Sequence, residues 1–203
     1  YPSYDTNEYR AVAGEDPGRF VDPLVSTVYE PGSVFKMFTA AAVLADGKVT
    51  TKTPFTDVGT LWLDNHRAKV DNADRRGKGR MSFEDAIAWS RNVVAAKAAM
   101  RLGKTTEAAS AKLFRTWTQF GFGQPTGIDL ANEVGGIVRD PAVRPWAQID
   151  LANGSFGQGV AVTPIQLAQA YGAHLDFVAK LTNPYPDDAA DLLFRSAHTA
   201  YRF

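Results

Sequence analysis

Two short stretches of the 203-residue chain bring together residue types that could do covalent chemistry. The first is "YEPGSVFKMFTAA", residues 29–41, in which Ser33 and Lys36 stand three apart at the head of an apolar run. On a helix, positions i and i+3 share one face, ~5–6 Å apart at Cβ. A serine hydroxyl is a poor nucleophile until a neighbouring base takes its proton. A lysine can be that base only when neutral, and burial among apolar side chains disfavours the ammonium. Phe35, Met37 and Phe38 flank Lys36 and suit such burial. Pro31-Gly32 sets Ser33 in the first helical turn, where free backbone N–H groups can stabilise a developing oxyanion. The same spacing also suits an N-cap serine followed by a solvated lysine. Roughly one Ser-x-x-Lys arises by chance in a chain of this length, and the local residues taken alone favour that plainer reading.

The second stretch is "SRN", residues 90–92. It falls between two predicted helices, where a tight junction can aim Ser90 and Asn92 into one cleft. It also reads as an ordinary helix cap. The histidines, His66, His174 and His198, are far apart and lack helical ligand spacing, so no metal site is expected. "RRGKGR", residues 75–80, reads as a solvated Gly-rich turn, with a polyanion patch as the alternative.

The elements that must position these residues are read from periodicity and punctuation. Residues 1–29 are loop-like, broken by Pro2, Pro17, Gly18 and Pro23. A helix is predicted over 33–46, with Val34, Phe35, Phe38, Ala42 and Val43 on its apolar face and Gly47 past its end. "TLWLDNHRAKV" suggests a short hairpin within the polar stretch 52–80. Ser82–Trp89 reads as a short helix capped by Ser82 with Asp85 three residues on. Further helices are predicted over Asn92–Leu102 and 105–120. "GFGQPTGIDLANEVGG" is a Gly-rich loop with one extended piece, and Thr163-Pro164 opens another helix. From Ala173 the pattern weakens.

The bulk numbers set limits. A hydrophobic content of 45% supports one substantial core. Lys+Arg and Asp+Glu balance at 22 each, which removes any global electrostatic reason to bind nucleic acid or an anionic membrane. The chain has no cysteine, hence no disulfide framework and no thiolate metal site. No apolar run is long enough to span a bilayer, and the N-terminus lacks a signal-like pattern, so any targeting segment or membrane anchor is expected outside this chain.

Four blocks occur in order: "EPGSVFK", "WSRNVVAAKAAMRLG", "FGFGQPTGIDLANEVGGIV" and "GSFGQGVAVTPIQLAQAYGA". Together they resemble the transpeptidase domain of high-molecular-weight penicillin-binding proteins, whose superfamily carries Ser-x-x-Lys, Ser-x-Asn and Lys-Thr-Gly motifs. The resemblance covers residues 1–173 and leaves 174–203 as a tail unlike the family. It implies an α/β fold of the β-lactamase/transpeptidase type, of which this chain supplies mainly the helical part and an incomplete sheet. It implies that Ser33 is the acylated nucleophile and Lys36 its general base. Ser90 would relay protons to the leaving group, and Asn92 would hydrogen-bond the substrate amide. The implied substrate is a peptidoglycan stem peptide ending in D-Ala-D-Ala, with β-lactam antibiotics acylating the same serine. The setting would be the extracytoplasmic face of a bacterial membrane, among other cell-wall synthesis proteins, and no cofactor or metal is implied.

Two departures accompany the resemblance. No Lys-Ser/Thr-Gly occurs, and Lys104-Thr105 is followed by Thr106 and precedes the Gly-rich loop. The chain also opens on "YPSYDTNEY", which in the family usually follows the first sheet strands, so both sheet-forming ends are expected to be missing. Two alternatives stay open: a penicillin-recognising hydrolase or sensor of the class D β-lactamase kind, and a non-catalytic helical module that lost the third motif. The Gly-rich and "GQGVAVTP" blocks argue against the first.

Overall fold

The computed structural model describes residues 5–181, with residue 6 and residues 174–181 as backbone alone. The N-terminal stretch read as loop contains short helical pieces instead. They are a 3-10 turn Thr6–Glu8, helix α1 (Tyr9–Glu15), a 3-10 turn Pro17–Phe20 and helix α2 (Pro23–Ser26). Pro17 and Pro23 are not breakers here but early helical residues, where the missing N–H is no loss. Asp22 completes the start of α2 by accepting from the Leu24 N–H at 2.9 Å.

The apolar run after Ser33 begins as a 3-10 turn, Gly32–Phe35, and widens into α3 (Lys36–Ala45). Every residue from Lys36 to Val43 is buried, so α3 runs through the core rather than along its surface. Aromatic rings surround its first turns. Phe35 meets Trp117 and Phe122 at 5.1 and 4.8 Å, and Phe38 meets Phe122 and Tyr171 at 4.8 and 5.4 Å. Each such buried side chain contributes about 1.5–3 kcal/mol of hydrophobic stabilisation.

Four strands follow: β1 (Pro54–Asp57), β2 (Thr60–Leu63), β3 (Ala68–Asp71) and β4 (Gly79–Ser82). β2 and β3 form the hairpin expected from "TLWLDNHRAKV", with Leu61 opposite Val70. β1 pairs antiparallel with β4, Asp57 opposite Gly79, and so brackets that hairpin. Among the described residues these two two-stranded sheets are the only sheets, in keeping with the helix-rich, sheet-poor architecture expected.

The remaining helices are α4 (Phe83–Ala88), α5 (Asn92–Met100), α6 (Thr106–Gln119), α7 (Gln148–Gly154) and α8 (Pro164–Leu181). Ser82 caps α4 as read, its Oγ accepting from the Asp85 N–H at 3.0 Å. Helix α7 escaped the sequence reading because it is short. Its start is held by the Ala147 N–H donating to Asp150 Oδ2 at 3.0 Å. Its last residue, Gly154, lies so close to Trp117 that an added Cβ would sit 2.7 Å from the indole.

Helix α8 opens on a reciprocal cap. The Gln166 N–H donates to Thr163 Oγ1 at 3.2 Å, and the Thr163 N–H to Gln166 Oε1 at 3.0 Å. Gln166 Nε2 also donates to the Gln124 and Gly135 carbonyls, at 2.7 Å each, and thereby ties down the Gly-rich stretch. The helix continues beyond Ala173, where the pattern was read as weakening. The rest of the 174–203 tail, including His198, lies outside the described residues, as does the His174 side chain. His66 lies against Trp62, their ring planes tilted by 45° and their centroids 5.3 Å apart.

Candidate active site

Ser33 enters the site on a turn that glycine makes possible. Gly32 has φ of 62° and its N–H donates to the Gly157 carbonyl at 3.0 Å. Gly157, with φ of 80°, sits against it so closely that an added Cβ would lie 2.2 Å from the Gly32 oxygen. The "GQG" block is therefore the wall behind the Ser33 turn. Glu30 extends the contact by accepting from the Gly159 N–H at 2.7 Å.

Lys36 follows one turn on and is only 2% exposed. Its Nζ lies 2.9 Å from Ser33 Oγ, 2.8 Å from Ser90 Oγ and 2.8 Å from the Ser90 carbonyl oxygen. Burial, assisted by the charge of Arg91, pushes its pKa down from the ordinary lysine value of 10.5 to about 7. As an ammonium its three donors match three acceptors. As a neutral amine it keeps two donors and gains a lone pair. The Ser90 carbonyl can only accept, so it holds one of those donors. A serine hydroxyl must then donate to the lone pair, and Ser33 is in position to do so.

Ser90 is delivered by the end of α4. The Ser90 N–H donates to the Ile87 carbonyl and the Arg91 N–H to the Ala86 carbonyl, both at 2.8 Å. These are the paired bonds of a Schellman ending, in which the residue between helix and exit adopts a left-handed conformation and is usually glycine. Here it is Ser90, with φ of 54°. A non-glycine residue in that region costs about 1–2 kcal/mol, and the return is that one residue aims two oxygens at Lys36.

Arg91 was missed by sequence reasoning. Its side chain turns inward, 5% exposed, and forks between two carboxylates. Nε donates to Asp57 Oδ2 at 2.7 Å, while NH1 and NH2 donate to Asp74 Oδ2 and Oδ1 at 2.9 and 3.0 Å. NH2 also donates to the Arg76 carbonyl. Asp57 is buried, which by itself would raise its pKa. Hydrogen bonds from Asn72, the Gly59 N–H and Arg91 outweigh burial and hold it below the usual carboxylate range. Asp74, chiefly through its bonds to Arg91, is held at about 2. Asn72 joins the network, donating to Asp57 Oδ1 at 2.7 Å and accepting from the Val93 N–H at 3.1 Å.

Asn92 is the first residue of α5, and its Nδ2 donates to the Asp71 carbonyl at 3.0 Å. It lines the same cavity as Ser33 and Ser90, a cleft of about 650 Å³ whose wall also includes Asp74, Lys78, Trp89 and Arg91. The structure thus brings Ser33 and Ser90 each onto the Lys36 amine and sets Asn92 beside them, bonded to β3 rather than to the other three. Lys104-Thr105 is employed elsewhere, with Thr105 Oγ1 capping α6 through the Ala108 N–H at 3.2 Å. The local signals for the four motif residues were visible in the chain. Nothing local marked Arg91, whose carboxylate partners lie 34 and 17 residues away.

Comparison with known proteins places the chain in a family. The family model described as the penicillin binding protein transpeptidase domain matches residues 1–183. Stage V sporulation protein D of Bacillus subtilis is 38% identical over 174 residues, covering 85% of this chain and 25% of that protein. The peptidoglycan D,D-transpeptidase MrdA of Salmonella typhimurium is 29% identical over 185 residues, covering 83% of this chain and 29% of its own length. Among solved structures, PBP2 of Pseudomonas aeruginosa in complex with WCK 5153 superposes with a TM-score of 0.71 at 31% identity. That match covers 84% of this chain and 41% of the solved one. The chain therefore spans only about a quarter of the length of these curated relatives.

Proposed function

The chain belongs to the penicillin-binding protein transpeptidase family, and from that premise we propose that Ser33 is the nucleophile of a serine D,D-transpeptidase site acting on peptidoglycan stem peptides. The observation that carries the reading is the Lys36 amine held between two serine hydroxyls, at 2.9 Å from Ser33 Oγ and 2.8 Å from Ser90 Oγ. The neutral amine takes the Ser33 proton as Oγ attacks the carbonyl carbon of the penultimate D-Ala. A C–O bond forms, and the carbonyl π pair moves to oxygen. In this reading backbone N–H groups of the Ser33 turn stabilise that developing charge.

Collapse of the adduct breaks the C–N bond to the terminal D-Ala. The departing nitrogen takes the Ser90 hydroxyl proton, and Ser90 is reprotonated by the Lys36 ammonium. Asn92 orients the peptide amide. The amine of a neighbouring stem then attacks the ester, forms the cross-link and returns Ser33. A β-lactam acylates Ser33 by the same first step, its strained amide opening as the C–N bond breaks. In this reading residues 1–173 are the transpeptidase portion, working on the extracytoplasmic face of a bacterial membrane beside other cell-wall synthesis proteins.

Labelling with a fluorescent penicillin tests the reading. Label should appear on the chain, vanish in Ser33→Ala and persist after free penicillin is removed. Rapid loss of label would instead indicate a hydrolase, and absence of label at any concentration a non-catalytic module. No Lys-Ser/Thr-Gly is present in the sequence. In the family that motif supplies one oxyanion donor, and loss of one such donor costs ~10²–10³ in rate, so slow labelling of this chain is expected.

A further inference from the structure

We propose that Arg91, the middle residue of "SRN", is a positioning residue for this site: clamped between Asp57 and Asp74, it holds Ser90 in the left-handed conformation that points both its oxygens at Lys36. The inference rests on the reading of Ser33, Lys36 and Ser90 given above and extends it to a residue outside the reacting set.

Helix endings of this kind often close with an apolar contact between the residue after the left-handed position and the preceding helical turn. Here that residue is Arg91, and a charged fork replaces the apolar contact. The guanidinium reaches the end of β1 through Asp57 and the segment after β3 through Asp74 and the Arg76 carbonyl. Two anchors on separate segments fix the direction of the Arg91 side chain, and with it the peptide that joins it to Ser90. Strained backbone persists only where the surroundings over-determine it, and around Ser90 the over-determination comes from this clamp together with the α4 ending. Asn72 and Asn92 tie the next residues to the same segment, through the Val93 N–H and the Asp71 carbonyl. The guanidinium meets Asp74 with two parallel bonds and Asp57 through Nε, a planar fork whose geometry an ammonium does not reproduce.

The charge that bears on Lys36 is that of Arg91, itself paired with Asp57 and Asp74, and Asp57 acts in turn on Lys97. Helix α6 also packs against α3, but its ion pair there, Lys112 with Asp46, lies at the opposite end of α3. The remaining groups around the Lys36 amine are Ser33, Ser90 and the Phe156 ring, the last at 6.0 Å.

Two variants separate positioning from charge and from mere support of the fold. Arg91→Lys conserves the charge and removes the fork. Asp74→Asn weakens the outer jaw while leaving the Arg91–Asp57 pair. In lysine-labelled protein, the Lys36 titration is followed by NMR, with Lys36→Met assigning the resonance. The Ser90 Cα and Cβ shifts and its amide coupling report its φ. The inference expects Ser90 to lose its left-handed signature in both variants. It also expects the Lys36 midpoint in Arg91→Lys to move from wild type by about one pH unit or more. A Ser90 signature retained in folded Asp74→Asn, or an unmoved Lys36 midpoint in folded Arg91→Lys, overturns it. If Arg91→Lys does not fold, the Ser90 signature in Asp74→Asn decides. Neither readout needs acylation, so they succeed or fail independently of labelling at Ser33.

Discussion

Ser90 presents its carbonyl and its hydroxyl oxygen to the Lys36 amine at the same distance, 2.8 Å, from a backbone conformation normally left to glycine. Local backbone preference is thus given up at the one point where the cleft gains from it. The carbonyl and the hydroxyl together hold the amine. That conflict between local comfort and site geometry makes the site testable by stability as well as by reactivity.

Replacing Ser90 should separate the two. Ser90→Gly relieves the left-handed strain, and Ser90→Ala keeps it. Urea denaturation is expected to show the Gly variant about 1 kcal/mol more stable than the Ala variant. Both should label with penicillin more slowly than wild type. Equal stabilities would mean that Ser90 is not held in the left-handed region.

Lys36 should leave a pH signature on stability. It titrates near 10.5 when unfolded and near 7 in the fold. Between those values the unfolded chain binds the extra proton, so raising pH favours the native state. The burial penalty is fully present below the folded value and absent above the unfolded one. Wild type should therefore gain on Lys36→Met by roughly 2.5 kcal/mol from about pH 6 to about pH 9. A difference that stays flat with pH would show that Lys36 titrates normally.

The same group should govern reactivity. The rate of labelling should rise with pH, half-maximal near the folded Lys36 value of about 7, and level off above it. Stopped-time labelling across a pH series measures this. A rate that falls as the amine becomes neutral would assign the base elsewhere.

Gly157 should be intolerant of any side chain. An added Cβ would meet the Gly32 oxygen at 2.2 Å and Phe35 Cβ at 2.7 Å, at a φ of 80°. Strain and overpacking together place the cost of Gly157→Ala at roughly 2–4 kcal/mol. Thermal denaturation would detect it, and a loss below 1 kcal/mol would show that the Ser33 turn can shift to make room.

How much of this the sequence disclosed depended on range. Ser82 with Asp85 and Thr163 with Pro164 act within one turn, and their caps were legible. The Thr163–Gln166 reciprocal cap was equally local. The further bonds of Gln166, to Gln124 and Gly135, join segments 42 and 31 residues apart and leave no local trace. Helix α7 was missed because its seven residues carry too little periodicity, and its fit against Trp117 through Gly154 spans 37 residues. The pieces starting at Pro17 and Pro23 were missed because a proline signals a helix start as readily as a loop, and α1 because its seven residues carry too little periodicity. Burial of Lys36 could be suspected from its apolar neighbours, but its contact with Ser90 spans 54 residues and waited for the fold.

The central claim is that Ser33, activated by Lys36, is the acylated residue. Intact-mass spectrometry with peptide mapping, after prolonged incubation with benzylpenicillin, tests it most directly. The account predicts a single, slowly formed adduct on the peptide containing Ser33, absent in Ser33→Ala and Lys36→Met. An adduct on any other residue, or undiminished modification of Ser33 when Lys36 is replaced, would contradict it.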